Sequence, residues 1–295
     1  MKLTTAAIVL CTIGSATAKK SKQGKMRGPK KGDGDDPFDV DIDIEFTGCD
    51  YELTFSFVHN AELLPLPSGP TDCAPGINAP DGLPYLASRQ FDYPFSDKIY
   101  EATGFASHSL DYQPCGHPPL DVFGGPHYDM HFYTDAMKVR EERTCEQPPM
   151  APICIPDPNA QTTASGRAFF NVANILGTAT PANMPENFFC DFDHAVPANG
   201  GNHCWDYSTN PDDYASWVEP VLIMGSYDAK IAFWEPMTPL GFVTGPDDHH
   251  FSKTVEYQGQ TIKTLPKEYS INYVESTGRT TITLKGERSF CDMLE

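Results

Sequence analysis

Hydrophobic and polar residues alternate with a period of two in several parts of this chain. Valine, isoleucine and phenylalanine alternate with aspartate and glutamate through residues 39–46, and leucine and aromatic residues alternate with polar ones through residues 51–57. A period of two sends successive side chains to opposite faces of a strand, so these segments predict a hairpin with one buried and one solvated face. A second hairpin is predicted for residues 270–275 and 280–285, around a turn that contains Gly278.

The rest of the chain also favours strands over helices. Residues 59–94 are interpreted as a proline-rich loop, residues 135–145 as one short helix and residues 156–165 as a linker. Further strands are predicted at 127–133, 168–174, 218–225, 231–234, 254–257 and 261–265. Together with the 27 prolines and 23 glycines, this pattern predicts an all-β or β-dominated fold, an antiparallel sandwich or barrel with long Pro-rich, disulfide-tied loops.

The first residues are typical of a secretory signal peptide. Lys2 is followed by a mostly apolar stretch of about a dozen residues, too short to span a bilayer, and Ala16 and Ala18 fit the small-residue cleavage pattern. The predicted organisation is therefore a signal peptide at 1–18, a basic-to-acidic disordered tail at 19–36, and a single β-rich domain at 37–295. The alternative for the basic segment is an arm that docks on an acidic surface, its own or a partner's. The protein is predicted to be secreted, without a membrane span.

The cysteine pattern supports an oxidising compartment. Cys11 lies in the predicted signal peptide, and no CxxC pair of the kind that binds zinc occurs. An even number of cysteines in a secreted chain predicts up to four disulfides. The eight cysteines concerned are Cys49, Cys73, Cys115, Cys145, Cys154, Cys190, Cys204 and Cys291.

The net charge restricts the partners of the protein. With 40 acidic and 21 basic residues the chain carries a charge of -19, which argues against nucleic-acid binding because an acidic surface repels phosphate. The acidic face of the first hairpin is either simply solvated or binds a cationic or calcium partner. An EF-hand is excluded there because Ile44 stands where that motif requires glycine. A homo-oligomer remains open.

The densest candidate chemistry lies in the predicted strand at 127–133. His127, Asp129 and His131 fall on one face of it, and imidazole with carboxylate is the ligand chemistry of a divalent metal. The two histidines are about 13 Å apart along a strand, so an adjacent pair completed from elsewhere is the easier site. His117, His203 and Glu235 are the candidates for completing it, and Glu235 needs a partner because it lies on an otherwise apolar strand face. Its alternative is a strand-end carboxylate that reaches solvent.

The predicted metal ligands are His127, Asp129, His131, His203 and Glu235, with zinc as the preferred ion. His117 and Tyr133 are assigned as second-shell or alternative ligands.

Three sequence elements resemble a family of uncharacterised, mostly bacterial secreted β-proteins. They are Gly-His-Pro-Pro at 116–119 followed by Pro-His-Tyr-Asp-Met-His-Phe-Tyr at 126–133, Gly-Asn-His-Cys-Trp-Asp at 201–206, and Phe-Trp-Glu-Pro-Met at 233–237. The chain is similar to this family over roughly residues 115–243, and differs from it at Cys204 and Ala229. The resemblance implies a shared β-fold and a shared polar site made of the five predicted ligands, but it implies no activity.

Several function classes lack their signatures in this sequence. It contains no Gly-x-Ser-x-Gly, His-Glu-x-x-His, Gly-x-Gly-x-x-Gly or P-loop motif, which disfavours α/β-hydrolases, zincins, dinucleotide enzymes and P-loop NTPases. Asp191, Asp193 and His194 offer acid–base groups, but their surroundings favour a solvated loop.

The favoured function is a secreted β-domain with a His/carboxylate metal site, whose activity is unassigned and extends at most to metal-assisted hydrolysis; its catalytic residues are unknown. The alternative is a non-catalytic extracellular binding or assembly protein in which the histidine cluster is structural. A weaker hypothesis is carbohydrate binding through Trp205, Trp217, Trp234 and the tyrosines.

Overall fold

The computed structural model describes just over half of the chain, in separate segments. The described residues are 21–27, 38–62, 64, 89–117, 120–141, 154–155, 170–171, 184–185, 188–190, 202–206, 216–227, 230–258 and 265–288. The predicted signal peptide, the Pro-rich stretch at 65–88 and the acid–base candidates at 191–194 lie outside them.

Two antiparallel sheets account for most of the described residues. The first sheet contains β1 (Ser21–Arg27), β2 (Asp41–Thr47), β3 (Asp50–Val58), β13 (His249–Thr254), β14 (Glu268–Val274) and β15 (Arg279–Glu287). The second contains β4 (Arg89–Pro94), β5 (Ser107–Gln113), β6 (His127–Tyr133), β9 (Phe188–Cys190), β10 (Asn202–Asp206), β11 (Val221–Tyr227) and β12 (Lys230–Pro239). Their strand orders are β1-β2-β3-β15-β14-β13 and β4-β5-β6-β12-β11-β10-β9.

Four short helices and one small ladder complete the described elements. The helices are α1 (Asp97–Thr103), α2 (Leu120–Phe123), α3 (Met137–Glu141) and α4 (Leu240–Thr244). Strands β7 (Cys154–Ile155) and β8 (Phe170–Asn171) pair only with each other. Within the described segments, no helix is both long and apolar enough to cross a bilayer.

The two sheets pack face to face around one aromatic core. From the first sheet, Phe55 and Phe57 point into it; from the second come Tyr128 and Phe132. The rings of Phe57 and Tyr128 are 5.1 Å apart and those of Phe55 and Phe132 are 6.5 Å apart, which is the spacing of interdigitated sandwich side chains. Burial of each such side chain contributes about 1.5–3 kcal/mol. The predicted β-dominated, antiparallel sandwich is confirmed.

Both predicted hairpins form, because their alternation and their turn chemistry agree. Strand β2 pairs with β3 over the whole length of β2, and β14 pairs with β15 over the whole length of β14. Each turn contains a glycine with a positive φ of 62°, Gly48 in the first and Gly278 in the second, a conformation that other residues adopt at a cost.

Other predicted boundaries are wrong. The segment interpreted as a loop up to residue 94 ends in β4, and β5 was not predicted at all, although it is central to the second sheet. Strand β13 occupies 249–254, just before the strand predicted at 254–257, which itself reduces to an isolated bridge between Pro185 and Tyr257. These boundaries depend on pairing with strands that are distant in sequence. The periodicity of one segment carries no information about which strand it pairs with.

The basic segment differs from a disordered tail over part of its length. Residues 21–27 form β1, which pairs antiparallel with β2, so that Lys22 lies opposite Glu45 and Arg27 opposite Asp41. Strand β2 alternates acidic residues, and the pairing of β1 covers the edge of the sheet that β2 would otherwise present. For these seven residues the pairing corresponds to the alternative of an arm that docks on the chain's own acidic strand.

Candidate metal centre

Strand β6 is buried on both faces, and the two faces differ in chemistry. Its even-numbered residues, Tyr128, Met130 and Phe132, belong to the sandwich core. Its odd-numbered residues, beginning with His127, Asp129 and His131, lie on the opposite, outer face of the second sheet and are also buried. The predicted sharing of one face by the three polar residues follows directly from the strand period.

A second, smaller apolar cluster covers this outer face. It is made of Phe123, Tyr133, Trp205, Trp217, Val221, Ile223, Ala232, Phe233 and Met237. The three tryptophans are buried, at 3%, 6% and 0% exposure for Trp205, Trp217 and Trp234, so none offers an open ring for stacking a sugar. The tryptophans therefore do not support the carbohydrate hypothesis, and the polar residues of the face are enclosed by apolar ones.

Neighbouring strands add further polar residues to the same face. Asp111 of β5 is the register partner of Asp129. On the other side, Trp234 of β12 pairs with Phe132, so the next pair along the antiparallel ladder sets Glu235 beside His131. His203 of β10 pairs with Gly225 of β11, which in turn pairs with Phe233 of β12. Pairing of β5, β6, β12, β11 and β10 thus gathers groups that are far apart in sequence.

The first polar group consists of His131, His203 and Glu235 and is called here the Glu235 group. Glu235 Oε2 lies 3.3 Å from His131 Nε2 and 3.5 Å from His203 Nε2. One ligand atom from each of the three residues lies within 4.8 Å of the others. The Glu235 side chain is only 1% exposed, and its Oε2 forms no hydrogen bond within the described residues. A buried carboxylate oxygen without a hydrogen bond requires compensation by a nearby cation.

The spacing of these atoms fits a metal ion. Ligand atoms about 2.0–2.2 Å from a tetrahedral zinc ion are roughly 3.3–3.5 Å from one another. The two measured separations, 3.3 and 3.5 Å, match that edge length. Two imidazole nitrogens and one carboxylate oxygen are also ordinary zinc ligands. The residues present therefore fit a divalent ion.

A second carboxylate supports the ring of His131. Asp111 Oδ2 lies 3.2 Å from His131 Nδ1, and the Ser109 hydroxyl donates a hydrogen bond of 2.6 Å to Asp111 Oδ1. A carboxylate on the far nitrogen of an imidazole fixes the ring orientation and increases the basicity of the other nitrogen. The His131 ring is also stacked on Tyr133, with parallel planes and centroids 5.2 Å apart.

The second polar group consists of His117, His127 and Asp129 and is called the Asp129 group. Asp129 Oδ1 lies 3.0 Å from His127 Nε2, and Asp129 Oδ2 lies 3.3 Å from His117 Nε2. Gln113 donates a hydrogen bond of 3.0 Å from Nε2 to Asp129 Oδ2. Again one atom of each of the three residues lies within 4.8 Å of the others.

Burial and ion pairing shift the pKa values of these groups in different directions. Desolvation raises the pKa of Glu235 to about 8 and also raises that of Asp111. Desolvation opposes protonation of His131, but Glu235 and Asp111 outweigh it and raise the pKa of His131 to about 9. Burial likewise acts to raise the pKa of Asp129, but His127 and His117 hold it well below its usual range. The buried carboxylates on this face therefore strongly favour a positive charge beside them.

The five predicted ligands all lie on this outer face, but they divide between two groups. His131, His203 and Glu235 meet in one, while His127 and Asp129 meet in the other with His117, which had been assigned as a second-shell or alternative ligand. Tyr133, the other residue of that assignment, stacks its ring on His131.

Sequence reasoning missed Asp111, Ser109, Gln113 and Phe233. The first three alternate with His108, Leu110 and Tyr112 along residues 107–113, and this period-two pattern was the available signal. Phe233 packs against both imidazoles of the Glu235 group, with its ring centroid 5.0 Å from those of His131 and His203, which are themselves 6.1 Å apart. A Cβ at Gly225 would overlap the Phe233 ring, so the glycine makes room for it. His249 and His250 lie on β13 in the other sheet.

No protein-family description, curated protein or solved structure matches this chain.

Proposed function

We propose that this protein binds a divalent metal ion, with zinc as the preferred ion, through His131 Nε2, His203 Nε2 and Glu235 Oε2. The observation that carries the proposal is the buried Glu235 oxygen, which faces two imidazole nitrogens at 3.3 and 3.5 Å without a hydrogen bond. An ion among the three atoms would satisfy all of them at once, whereas a single proton satisfies one pair.

The chain's own residues prepare this position. Asp111 holds the His131 ring from its far nitrogen, at 3.2 Å, and leaves Nε2 directed toward Glu235. Phe233 and Tyr133 fill the space beside the ring and keep the site apolar around its ligands. The ion would supply Lewis acidity, which is the basis of metal-assisted hydrolysis.

Within the two groups on the outer face, exposure to solvent is concentrated in the residues at the edge of the face. His203 and His117 are the more exposed members of their groups, with side chains 18% and 17% exposed, compared with 1% for Glu235. A substrate that reached the ion would therefore approach along these two histidines. Its identity and the group that would act as a general base are left unassigned in this proposal.

The alternative function is a non-catalytic binding or assembly protein in which the cluster is structural. The observation that favours it is the position of His131 between the carboxylates of Asp111 and Glu235, which raise its pKa to about 9. A doubly protonated His131 would then donate a hydrogen to each acid and offset one of the two negative charges without an ion. The two functions make opposite predictions for the metal content of the protein.

Export and disulfide cross-linking belong to the same proposal. Export rests on the sequence of residues 1–18. Cross-linking is supported by the bonded state of Cys49, Cys115 and Cys204, and by the register that sets Cys204 opposite Cys190 on neighbouring strands. Peptide mapping without reductant tests the cross-links, which would be contradicted by free thiols at all eight positions.

The test of the metal site compares the wild-type protein with Glu235→Gln. The protein is stripped with a chelator, equilibrated with zinc and analysed by plasma mass spectrometry. Glutamine keeps the size of the side chain but removes its charge, so we expect one equivalent of zinc to be lost. His250→Gln is the matched control, because His250 is exposed on β13 and outside both groups; it should retain the wild-type zinc content. Equal zinc content in wild type and Glu235→Gln would contradict the proposed site.

A further inference from the structure

We propose that the Asp129 group is a second metal site, formed by His117 Nε2, His127 Nε2 and the Asp129 carboxylate, so that the outer face carries two divalent ions. This inference goes beyond the proposed function, because it concerns three residues that do not take part in the Glu235 group. It rests on contacts within its own group.

The orientation of His127 provides the first argument. His127 Nδ1 lies 2.7 Å from the Gly125 carbonyl oxygen, which can only accept a hydrogen bond. Nδ1 therefore carries a hydrogen, and Nε2 lies 3.0 Å from Asp129 Oδ1, where the tautomer with hydrogen on Nδ1 alone presents a lone pair to the carboxylate. Two lone pairs at this distance repel each other unless a cation lies between or beside them. Neither atom forms a hydrogen bond of acceptable geometry in the described part of the chain, which favours an ion beside the two atoms over a proton between them.

Both atoms are also fully removed from solvent. The His127 side chain is 0% exposed and that of Asp129 is 4% exposed, so water cannot screen the charge of the carboxylate. The backbone carbonyl at Nδ1 is a common outer partner of a metal-binding imidazole, because it fixes both the tautomer and the direction of the ring.

His117 is brought to the site by a constrained loop. Its backbone N–H donates to the Phe123 carbonyl at 3.1 Å, which ties residues 113–117 to the end of α2. The preceding Gly116 has a φ of 66°, and a Cβ there would overlap the same carbonyl. Only glycine therefore allows the loop to approach so closely. The loop sets the His117 ring 4.7 Å from that of His127, with the planes at 76°, and both Nε2 atoms face Asp129.

Asp129 contributes one oxygen to each imidazole and is itself held in place. Gln113 donates to Oδ2 at 3.0 Å, which leaves Oδ1 free of hydrogen bonds. The separations of 3.0 and 3.3 Å from the two imidazole nitrogens are close to the roughly 3.3 Å between neighbouring ligands of one zinc ion.

Two separate ions are a better description than one shared ion. Asp129 and His131 are next-but-one residues on the same strand face, which sets their Cα atoms about 7 Å apart. His127 and His131 are about 13 Å apart, beyond the span of one coordination sphere. The Asp129 and Glu235 groups accordingly share no member.

The experiment measures zinc stoichiometry in the full-length protein by equilibrium dialysis and plasma mass spectrometry. Asp129→Asn removes the charge of the carboxylate at nearly constant side-chain size. His117→Gln removes a ligand from the partly exposed loop. It keeps the proposal testable if Asp129→Asn does not fold. We expect two equivalents in the wild type, one in Asp129→Asn, one in His117→Gln and one in Glu235→Gln. Circular dichroism checks that each variant is folded, and cobalt(II) absorption reports loss of the coordination spectrum of one site.

The outcomes separate this inference from the proposed function. One wild-type equivalent that is lost in Glu235→Gln alone would overturn the second site and leave the proposed function standing. One equivalent that is lost in Asp129→Asn alone would support the second site and contradict the proposed function. The inference would also be overturned by a wild type that binds only one equivalent and loses it in every variant, by two equivalents retained in both Asp129→Asn and His117→Gln, or by a wild type that binds no zinc.

Discussion

The two faces of β6 are equally buried, yet they are stabilised in different ways. The inner face packs Tyr128, Met130 and Phe132 against the opposite sheet, where apolar contact alone favours burial. The outer face buries His127, Asp129 and His131, which are stable there only if each charge is matched. A chain gains no stability from burying carboxylates beside imidazoles in preference to apolar residues, so the outer face is the one that indicates function.

The largest effect that would sharpen this contrast is expected on the inner face. Phe132→Ala removes a ring that contacts Phe55 and Phe105, at centroid distances of 6.5 and 5.8 Å, and leaves a cavity between the sheets. We expect a loss of about 3–5 kcal/mol in the free energy of unfolding. Urea denaturation of metal-free protein measures it. A loss of well under 1 kcal/mol would mean that the sheets do not share a packed core.

On the outer face, Asp111→Asn should lower metal affinity more than stability. It removes the carboxylate that lies 3.2 Å from His131 Nδ1 but retains the shape of the side chain and a group for Ser109 to contact. Loss of such an outer partner typically lowers metal affinity by about 10–100-fold. Competition with a zinc chelator of known affinity measures the change. Asp92→Asn, on the neighbouring β4, is the comparison variant, and it should leave the affinity unchanged. Unchanged affinity in Asp111→Asn would separate Asp111 from the site.

Gly225→Ala should affect both the stability of the protein and the geometry of the Glu235 group. The added methyl group overlaps the Phe233 ring, which packs against both His131 and His203. Overpacking of this kind costs about 1–3 kcal/mol of stability, and a displaced ring would change the distance between the two imidazoles. Thermal melting with and without zinc measures both effects. Gly241→Ala is the matched control, since a Cβ at Gly241 meets nothing within 4 Å. Identical behaviour of the two variants would contradict the role given to Phe233.

The smallest expected effect is on the pH dependence of stability, and its source is a histidine on the inner side of the second sheet. His108 is enclosed by Phe55 and Phe132, with ring centroids at 3.9 and 4.3 Å, and stacks on Tyr93. Burial, with repulsion from His131 as the second cause, holds the pKa of His108 well below its usual 6.5. A group with a lowered folded pKa favours the unfolded state once that state becomes protonated. Stability should therefore fall as the pH drops below about 6.5, by at most about 1.4 kcal/mol per pH unit for one proton.

His108→Phe should reduce this acid sensitivity. Phenylalanine fills the same aromatic surroundings without a titratable nitrogen, so the pH dependence of the free energy of unfolding between pH 7 and pH 5 should become less steep. Urea denaturation at a series of pH values measures the slope. A slope that is the same in wild type and variant would mean that His108 already carries its proton in the folded protein.

How much could be predicted from the sequence depends on the range of the interactions. The β2–β3 and β14–β15 hairpins were predictable because their alternation and their turns are local. The shared face of His127, Asp129 and His131 followed from strand periodicity alone. The approach of His203 and Glu235 to His131 requires the order β6-β12-β11-β10, which no local pattern contains.

The division of the site into two groups could not be predicted from the sequence either. It depends on His117, which arrives through a loop whose path is fixed by Gly116 and by a hydrogen bond to Phe123. Asp111 was overlooked because β5 was not identified as a strand, although its polar residues alternate. Long-range register therefore decides which of the candidate side chains meet.

Anomalous X-ray scattering at the zinc edge, from crystals of the zinc-equilibrated protein, tests the central claim most directly. The account predicts a peak bonded at about 2.0–2.2 Å to His131 Nε2, His203 Nε2 and Glu235 Oε2, and its absence in crystals of Glu235→Gln. A wild-type map without such a peak, in which His131 and Glu235 form a direct hydrogen bond of about 2.7–2.9 Å, would contradict it.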